Sequence, residues 1–401
     1  MPDYLPLHAQ IIAASACRAP QEKVNPRQAL STLSWGLFCA CSWTWCIGMY
    51  LPIILLRQFG WWGFIAFAIP NVVGCAAFGY VLKRATSQQL VQRHGTAMRS
   101  FSFVVVVYHM FFLPFAAAAF VWSVPNDVPQ ALGDHFGLVL AVVVMAAAIG
   151  LSRLPTRLWP ALAMLTFAFS LAGFAQLGVG SLSDITWSGQ TSLRQLVWLA
   201  PIFAFGFGLC PYLDLTFHRA RGEAPSRHVF AIFGLTFAMI LVFTCAYAFQ
   251  TALMPLVAGH IITQSVFTVA AHLREIRTTT PKRPRSIITG IVLVGLLVAA
   301  LSSSIHLLDR NSVVGQEMYL RLLVFFGLVF PAYVLLFIGP GKTLSPTRAN
   351  VTIYLVVVAA ALPLYEFGFL HDRAWLAAVA LAALFAWKLV AQFIPIGVER
   401  T

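Results

Sequence analysis

Charge is what this chain has least of. Only 10% of its 401 residues are Asp, Glu, Lys or Arg, against about a quarter in a soluble globular domain. Acidic groups are scarcer still, with 13 Asp+Glu against 26 Lys+Arg. Hydrophobic residues make up 60% of the sequence and the mean hydropathy is +0.82, which excludes a soluble protein. No Cys-x-x-Cys occurs among the seven cysteines (17, 39, 41, 46, 75, 210 and 245), and all but Cys17 lie inside apolar stretches. That spacing excludes a zinc-ribbon site and a disulfide framework. A phosphate-binding loop is missing too: "GPGKT" at 339–343 has Leu336 where the first glycine of G-x-x-x-x-G-K-[ST] is required, which argues against ATP as the energy source. Ile11–Cys17 is too short and too rich in small residues for a signal-peptide core, so the first span is expected to insert uncleaved.

Long apolar runs are what fills the sequence. Windows of about 19 residues predict an all-α integral membrane protein of twelve spans, near 31–57, 61–82, 100–122, 135–151, 158–178, 195–217, 229–252, 255–273, 286–308, 318–339, 350–370 and 374–395. Val229 to Leu273 contains no charged residue over 45 positions, far more than one helix needs to cross about 30 Å, so it must fold back, best at Gln250–Pro255. Basic residues test the count. With residues 1–30 as a cytoplasmic tail, the inner segments hold twenty Lys and Arg and the outer ones five, the asymmetry of a multi-pass plasma (inner) membrane protein with both termini inside. The net charge of +13 therefore reports topology and not nucleic acid. The basic loop "LREIRTTTPKRPRS" reads as an anchor at an anionic lipid leaflet.

Two spans carry breakers near mid-membrane, where unwound backbone is tolerated only beside a polar cavity or ligand. In the first, "SWTWCIGMYLP" sets Gly48 and Pro52 behind Ser42 and Thr44; in the sixth, "FAFGFGLCPYLD" supplies Gly206, Gly208 and Pro211. Gly48 precedes Gly208 by 160 residues and Pro52 precedes Pro211 by 159. An offset of five spans is odd, so the second copy enters the membrane from the opposite side.

In this pairing the sequence resembles the LeuT-type five-plus-five inverted repeat of the amino acid–polyamine–organocation superfamily, and more distantly the sodium:solute symporters. The resemblance covers roughly 31–339: spans 1–5 over 31–178, spans 6–10 over 194–339, and two extra C-terminal helices over 350–395. It is architectural and includes no diagnostic family motif. It implies a secondary transporter for a small organic solute, held between the breaks by Trp43, Trp45, Gly48, Phe205, Gly206 and Gly208, with Tyr50 and Phe207 close by. It also implies an ion site with hydroxyls from span eight, whose "GHIITQSVFTVAAH" offers Thr263, Ser265 and Thr268; the adjacent hydroxyl pair of LeuT-like sodium sites is absent. Coupling to H+ instead of Na+ needs an intramembrane titratable group, for which Asp214, with His218 at i+4, and His109 are the candidates. Asn71, Gln176, Gln250, His260 and Gln264 read as helix-bridging groups.

Other classes remain open on the sequence alone. A membrane-embedded transferase would use an inner-face cluster of Asp214, His218, His228 and His94, and a sensor or scaffold derived from a transporter fold would need no site chemistry. A major-facilitator arrangement is disfavoured by the short 218–228 loop after span six.

Overall fold

The computed structural model describes residues 25–121, 130–178, 180–248, 254–280, 282–308, 313–339, 343–391 and 398–399. Every predicted span is helical. The first comprises α1 (Pro26–Trp43) and the start of α2 (Cys46–Ile69); the second runs from α2 through a π-helical turn at Pro70–Gly74 into α3 (Cys75–Val81). There follow α4 (Arg84–Val121), α5 (Gln130–Leu151), α6 (Trp159–Leu177), α7 (Leu193–Leu209), α8 (Leu215–Glu223), α9 (Val229–Tyr247), α10 (Met254–Thr279) and α11 (Pro284–Leu308). Span ten is α12 (Val313–Leu322), a second π turn at Phe325–Val329 and α13 (Phe330–Phe337); α14 (Arg348–Leu370) and α15 (Ala374–Ala391) follow. A two-residue antiparallel pairing of Thr343–Leu344 with Val398–Glu399 is the strand structure among the described residues.

Several expected boundaries are refined. Helix α1 begins at Pro26, five residues before position 31, because Asn25 caps it, its side chain accepting from the Arg27 amide at 3.0 Å, and proline suits a first helical position. The tail before it, residues 1–24, lies outside the described residues. So does most of the predicted fold-back: α9 ends at Tyr247 and α10 starts at Met254, with Gln250 between them. Spans one and two are joined without a loop. Gly60 takes φ 62° and ψ −151°, and the chain doubles back so tightly that a Cβ on Gly63 would stand 2.7 Å from the Leu55 carbonyl. Only glycine fits there, and the 186–191 segment seals the corner, Trp61 donating to the Thr186 carbonyl at 3.0 Å and Thr191 to that of Gln58 at 2.7 Å.

Nine described helical stretches are long and apolar enough to cross a membrane, the bent Cys46–Val81 among them, and His135–Leu151 and Ala374–Val390 are shorter apolar helices. Depth in the bundle follows side-chain exposure. The central window of α4 is 78% buried, whereas those of α11 and α14 are 28% buried and present Leu293, Leu297 and Val356 outward, as lipid-facing helices do. Central α4 packs on α10, α5 and α11, and α1 packs on α6, α9 and α10.

Candidate functional site

Both predicted breaks exist, one a few residues from its marker. In span one the helix stops at Trp43, and Thr44 and Trp45 have ψ of 73° and 169° before α2 begins. Gly48 and Pro52 lie inside α2, so the opening falls about one turn ahead of them. Proline cannot donate to the carbonyl four residues back; the freed Gly48 carbonyl accepts instead from Thr244 Oγ1 of α9 at 3.0 Å. Tyr247 Oη, one turn on, donates to the Met49 carbonyl at 2.7 Å. Proline's effect is thus repaired by α9, and the unwound residues stand N-terminal to it.

In span six α7 gives way to a 3₁₀ turn, Cys210–Leu213, and Asp214 is extended before α8. Gly206 and Gly208 are helical; Pro211 sits in the turn. Asp214 caps α8, its Oδ1 accepting from the Thr216 amide at 2.7 Å and from Thr216 Oγ1 at 2.8 Å. Thr216 Oγ1 also lies 3.0 Å from Ser42 Oγ, which ties the last turn of α1 to the first turn of α8. Asp214 is completely buried, and its Oδ2 has no partner among the described residues.

Aromatic rings pack around the first break. Trp43 and Trp45 pack with ring centroids 4.2 Å apart and planes tilted by 43°, and each is 2% exposed. Both indoles are tied down: Trp43 Nε1 donates to the side-chain Oδ1 of Asn71 and Trp45 Nε1 to the Ser42 carbonyl, both at 2.8 Å. Phe217 packs on Trp43 at 4.9 Å, and Phe326 and Phe101 pack on Trp45 at 4.9 and 5.3 Å. Asn71 and Phe326 come from the two π turns, a form of helix distortion frequent at functional sites.

The remaining predicted contacts face elsewhere. Phe205 packs on Phe385 of α15, and Phe207 on Phe67, away from the tryptophan pair. Gly48 faces Phe237 and Leu241 of α9. Gly206 permits close approach to the Phe326 carbonyl, where a Cβ would stand at 2.7 Å, and Gly208 opposes Gly74 across the span-two π turn. Tyr50 packs on Phe115 and Tyr319. Gly206 therefore serves helix approach, a Cβ on Gly208 would meet open space, and Trp43 and Trp45 are the predicted residues at the break itself.

Of the span-eight hydroxyls, Thr268 is the one aimed at the break. Its Oγ1 donates to the Cys41 carbonyl at 2.9 Å and lies 3.4 Å from the Thr44 carbonyl. Ser265, one turn away, is fully buried with its Oγ unpartnered among the described residues. Thr263 turns back on its own helix, bonding the Gly259 carbonyl at 2.8 Å. Thr268 Oγ1 and the two carbonyls it meets are oxygen donors of the hard kind.

The proposed Asp214–His218 pair does not form. His218 Nδ1 meets Ser87 Oγ at 2.7 Å and Nε2 the Tyr212 carbonyl at 3.0 Å, so both ring nitrogens are engaged elsewhere. His94 pairs with Tyr333 and His228 with Tyr80, which leaves the transferase cluster dispersed over separate partners. His109 is fully buried in α4 with Nδ1 on the Val105 carbonyl at 2.8 Å. The bridging expectation holds for Asn71, His260 and Gln264, the last two meeting on Ser170 Oγ at 2.8 and 2.9 Å; Gln176 is exposed.

No family model matches the chain, and no curated protein does either. Solved structures do. The chain is similar to Mhp1 in its inward-facing conformation, with 11% identity and a TM-score of 0.46 over 91% of each chain. It is similar to MhsT in complex with L-phenylalanine, at 12% identity and a TM-score of 0.43, over 89% of this chain and 98% of that one. A Na+-coupled sialic acid symporter in a substrate-bound outward-open state gives 12% identity and a TM-score of 0.45, over 92% and 91%.

Sequence reasoning overlooked Thr216 and Phe326. Thr216 had a signal, the Asp-x-Thr of a helix cap directly after a proline turn. Phe326 had none, since one phenylalanine among 33 carries no mark of its position.

Proposed function

We propose that the protein is a secondary transporter for a small organic solute, working by alternating access around the two breaks, which lie in inverted halves of a five-plus-five repeat. The observation that carries this reading is the Ser42–Thr216 contact at 3.0 Å, which sets two interrupted helices, 174 residues apart, against each other inside the bundle. Interrupted helices leave backbone groups without intrahelical partners, and these are the groups a ligand uses. Trp43 and Trp45 supply apolar walls beside them, which suits a solute with an aromatic or aliphatic portion.

Sodium is the coupling ion this donor set suits, held by Thr268 Oγ1 and the carbonyls of Cys41 and Thr44, with Ser265 Oγ in reserve. An ion there joins α1 to α10 and favours one arrangement of the break over another. Both termini are assigned to the cytoplasmic face by the distribution of basic residues.

Thermal unfolding of the purified full-length protein tests this reading, with sodium or choline and a panel of small organic solutes. A ligand present at a hundred times its Kd stabilises by about 2.7 kcal/mol. Sodium-potentiated stabilisation by at least one solute, lost in Trp45→Ala, is the expected result; a melting temperature indifferent to every solute and to sodium would overturn it.

A further inference from the structure

Between α7 and α15, at the end of the bundle where both helices begin, lies a cavity of about 600 Å³. Its mouth is polar. Arg194 and Gln195 line it from the first turn of α7, and Asp372 lines it from the turn before α15. Next come Trp198 and Trp375, 41% and 48% exposed, and then Ala378 and Ala382 of α15. Trp375, Ala378 and Ala382 stand at i, i+3 and i+7, so they share one helix face and carry the groove along about 10 Å of helix. Alanine at the two farther positions keeps that face low enough to leave a channel. The lining therefore passes from charge, through indole, to aliphatic surface.

The mouth is held in shape. Asp372 takes φ 52°, a left-handed conformation that Asp adopts more readily than most side chains. Gln195 clamps that turn to α7: its Nε2 donates to the Asp372 carbonyl, and its Oε1 accepts from the Ala374 amide at 3.1 Å. One side chain thus serves both the turn and the first free amide of α15. The charges beside it are left over. Arg194 and Asp372 are exposed, they do not pair with each other, and among the described residues neither has another charged partner. Arg373, next in the chain, is exposed and outside the lining. A neighbouring cavity of about 440 Å³ between α12 and α14 gives the contrast, because its Arg321 is already engaged by Glu317 and Glu366.

A guanidinium and a carboxylate set apart at one mouth complement a zwitterion. A phosphate takes charge-assisted hydrogen bonds from Arg194, and an ammonium donates to Asp372. The N-termini of two helices at the same end add positive partial charge that favours the phosphate. Exposed indoles near helix ends belong at the membrane–water boundary, and the aliphatic groove beyond them matches an acyl chain. A soluble zwitterion would fill the mouth and leave the groove empty; a lipid fills both.

We propose that this cavity binds a phospholipid with a primary ammonium headgroup, of the phosphatidylethanolamine class, its phosphate on Arg194, its ammonium on Asp372 and one acyl chain along Ala378 and Ala382. The site lies apart from the two breaks and does not rest on the transporter reading.

Native mass spectrometry of the delipidated full-length protein tests it, with phosphatidylethanolamine, phosphatidylcholine and phosphatidylglycerol of identical chains titrated in detergent. Phosphatidylethanolamine should bind about tenfold more tightly than either of the others, since choline has no N–H to donate and glycerol no charge for the carboxylate. Arg194→Gln should weaken all three lipids, and Asp372→Asn, which still tolerates the left-handed turn, should erase the preference for phosphatidylethanolamine over phosphatidylglycerol. Ala382→Phe, which fills the groove, should weaken all three with the preference kept. These three side chains are exposed, and an unchanged melting temperature confirms that each variant is folded. Equal binding of the three lipids by the unsubstituted protein, or a preference that survives Asp372→Asn, overturns the proposal. So does a preference lost in Glu366→Gln and kept in Asp372→Asn, which would seat the lipid in the neighbouring cavity. Chain-free glycerophosphoethanolamine binding as tightly as the lipid would make the occupant a soluble zwitterion and overturn it as well.

Discussion

Ser42 and Thr216 face each other across 3.0 Å at the junction of two interrupted helices, and Thr216 at the same time donates its hydroxyl to Asp214 Oδ1. One short chain of oxygens therefore runs from α1 through the cap of α8 to a buried carboxyl. Thr216→Val removes both contacts and should lower stability by about 1–3 kcal/mol, whereas Ser42→Ala, which leaves the cap intact, should cost about 1 kcal/mol. Chemical or thermal denaturation in detergent would separate them, and equal effects would deny the cap its part.

Asp214→Asn keeps an oxygen to cap α8 and removes a buried ionisable group with no ion-pair partner among the described residues. Stability should hold or rise. Asp214→Ala loses the cap as well and should cost about 1–2 kcal/mol. If the asparagine variant proves the less stable of the two, the carboxylate is being held by something other than the cap.

Thr268→Val and Thr263→Val are a matched pair on one helix. The first should abolish stabilisation by sodium and, because it takes a buried hydroxyl from the Cys41 carbonyl, cost about 1 kcal/mol in sodium-free medium; the second, whose hydroxyl bonds its own helix at 2.8 Å, should leave the sodium effect intact. Titrating sodium against the melting temperature of each decides whether Thr268 is the ion's ligand.

Gly60→Ala places a Cβ at φ 62° against the backbone of Thr186 and Trp187. A strained backbone of this kind costs about 1–3 kcal/mol before any steric clash is counted. The yield of monodisperse protein should fall sharply, and wild-type yield would show that the corner relaxes.

Glu275, 2% exposed, bridges Arg219 of α8 and Arg274 of its own helix. Glu275→Gln leaves cationic groups without their carboxylate and should destabilise by about 3–5 kcal/mol, since breaking a buried pair costs more than never having built it. Arg219→Gln should be milder, that side chain being 26% exposed. Equal losses in the two variants would place the weight of the network elsewhere.

What was legible in the sequence follows from what the membrane enforces. Each spanning helix must be apolar over its length, so the helical, apolar character of the chain was visible, and the charge-free run 229–273 had to be divided because one helix cannot use 45 residues; the described part of it forms the two helices α9 and α10. The opening in span one was displaced because proline acts at a distance: Pro52 affects the carbonyl of Gly48, and the backbone opens one turn earlier still, at Thr44–Trp45. Pro211 sits within its own turn and marked it directly. Thr263, Ser265 and Thr268 were equal candidates on the sequence, and only the packing of α1 against α10 shows which of them meets the backbone of the first break.

The proline in span ten bears on how divisible the molecule is. Pro331 cannot donate to the Gly327 carbonyl four residues back, and the hydroxyl that takes up that carbonyl, at 2.7 Å, belongs to Tyr365 of α14. Tyr354 does the same for Val329 at 2.6 Å. Carbonyls in and beside the Phe325–Val329 turn thus find their donors on the helix that follows in the chain, α14. A chain cut after residue 339 would keep the π turn at Phe325–Val329 and lose both hydroxyls that serve its carbonyls, so the last helices are part of the fold's support and not an appendage.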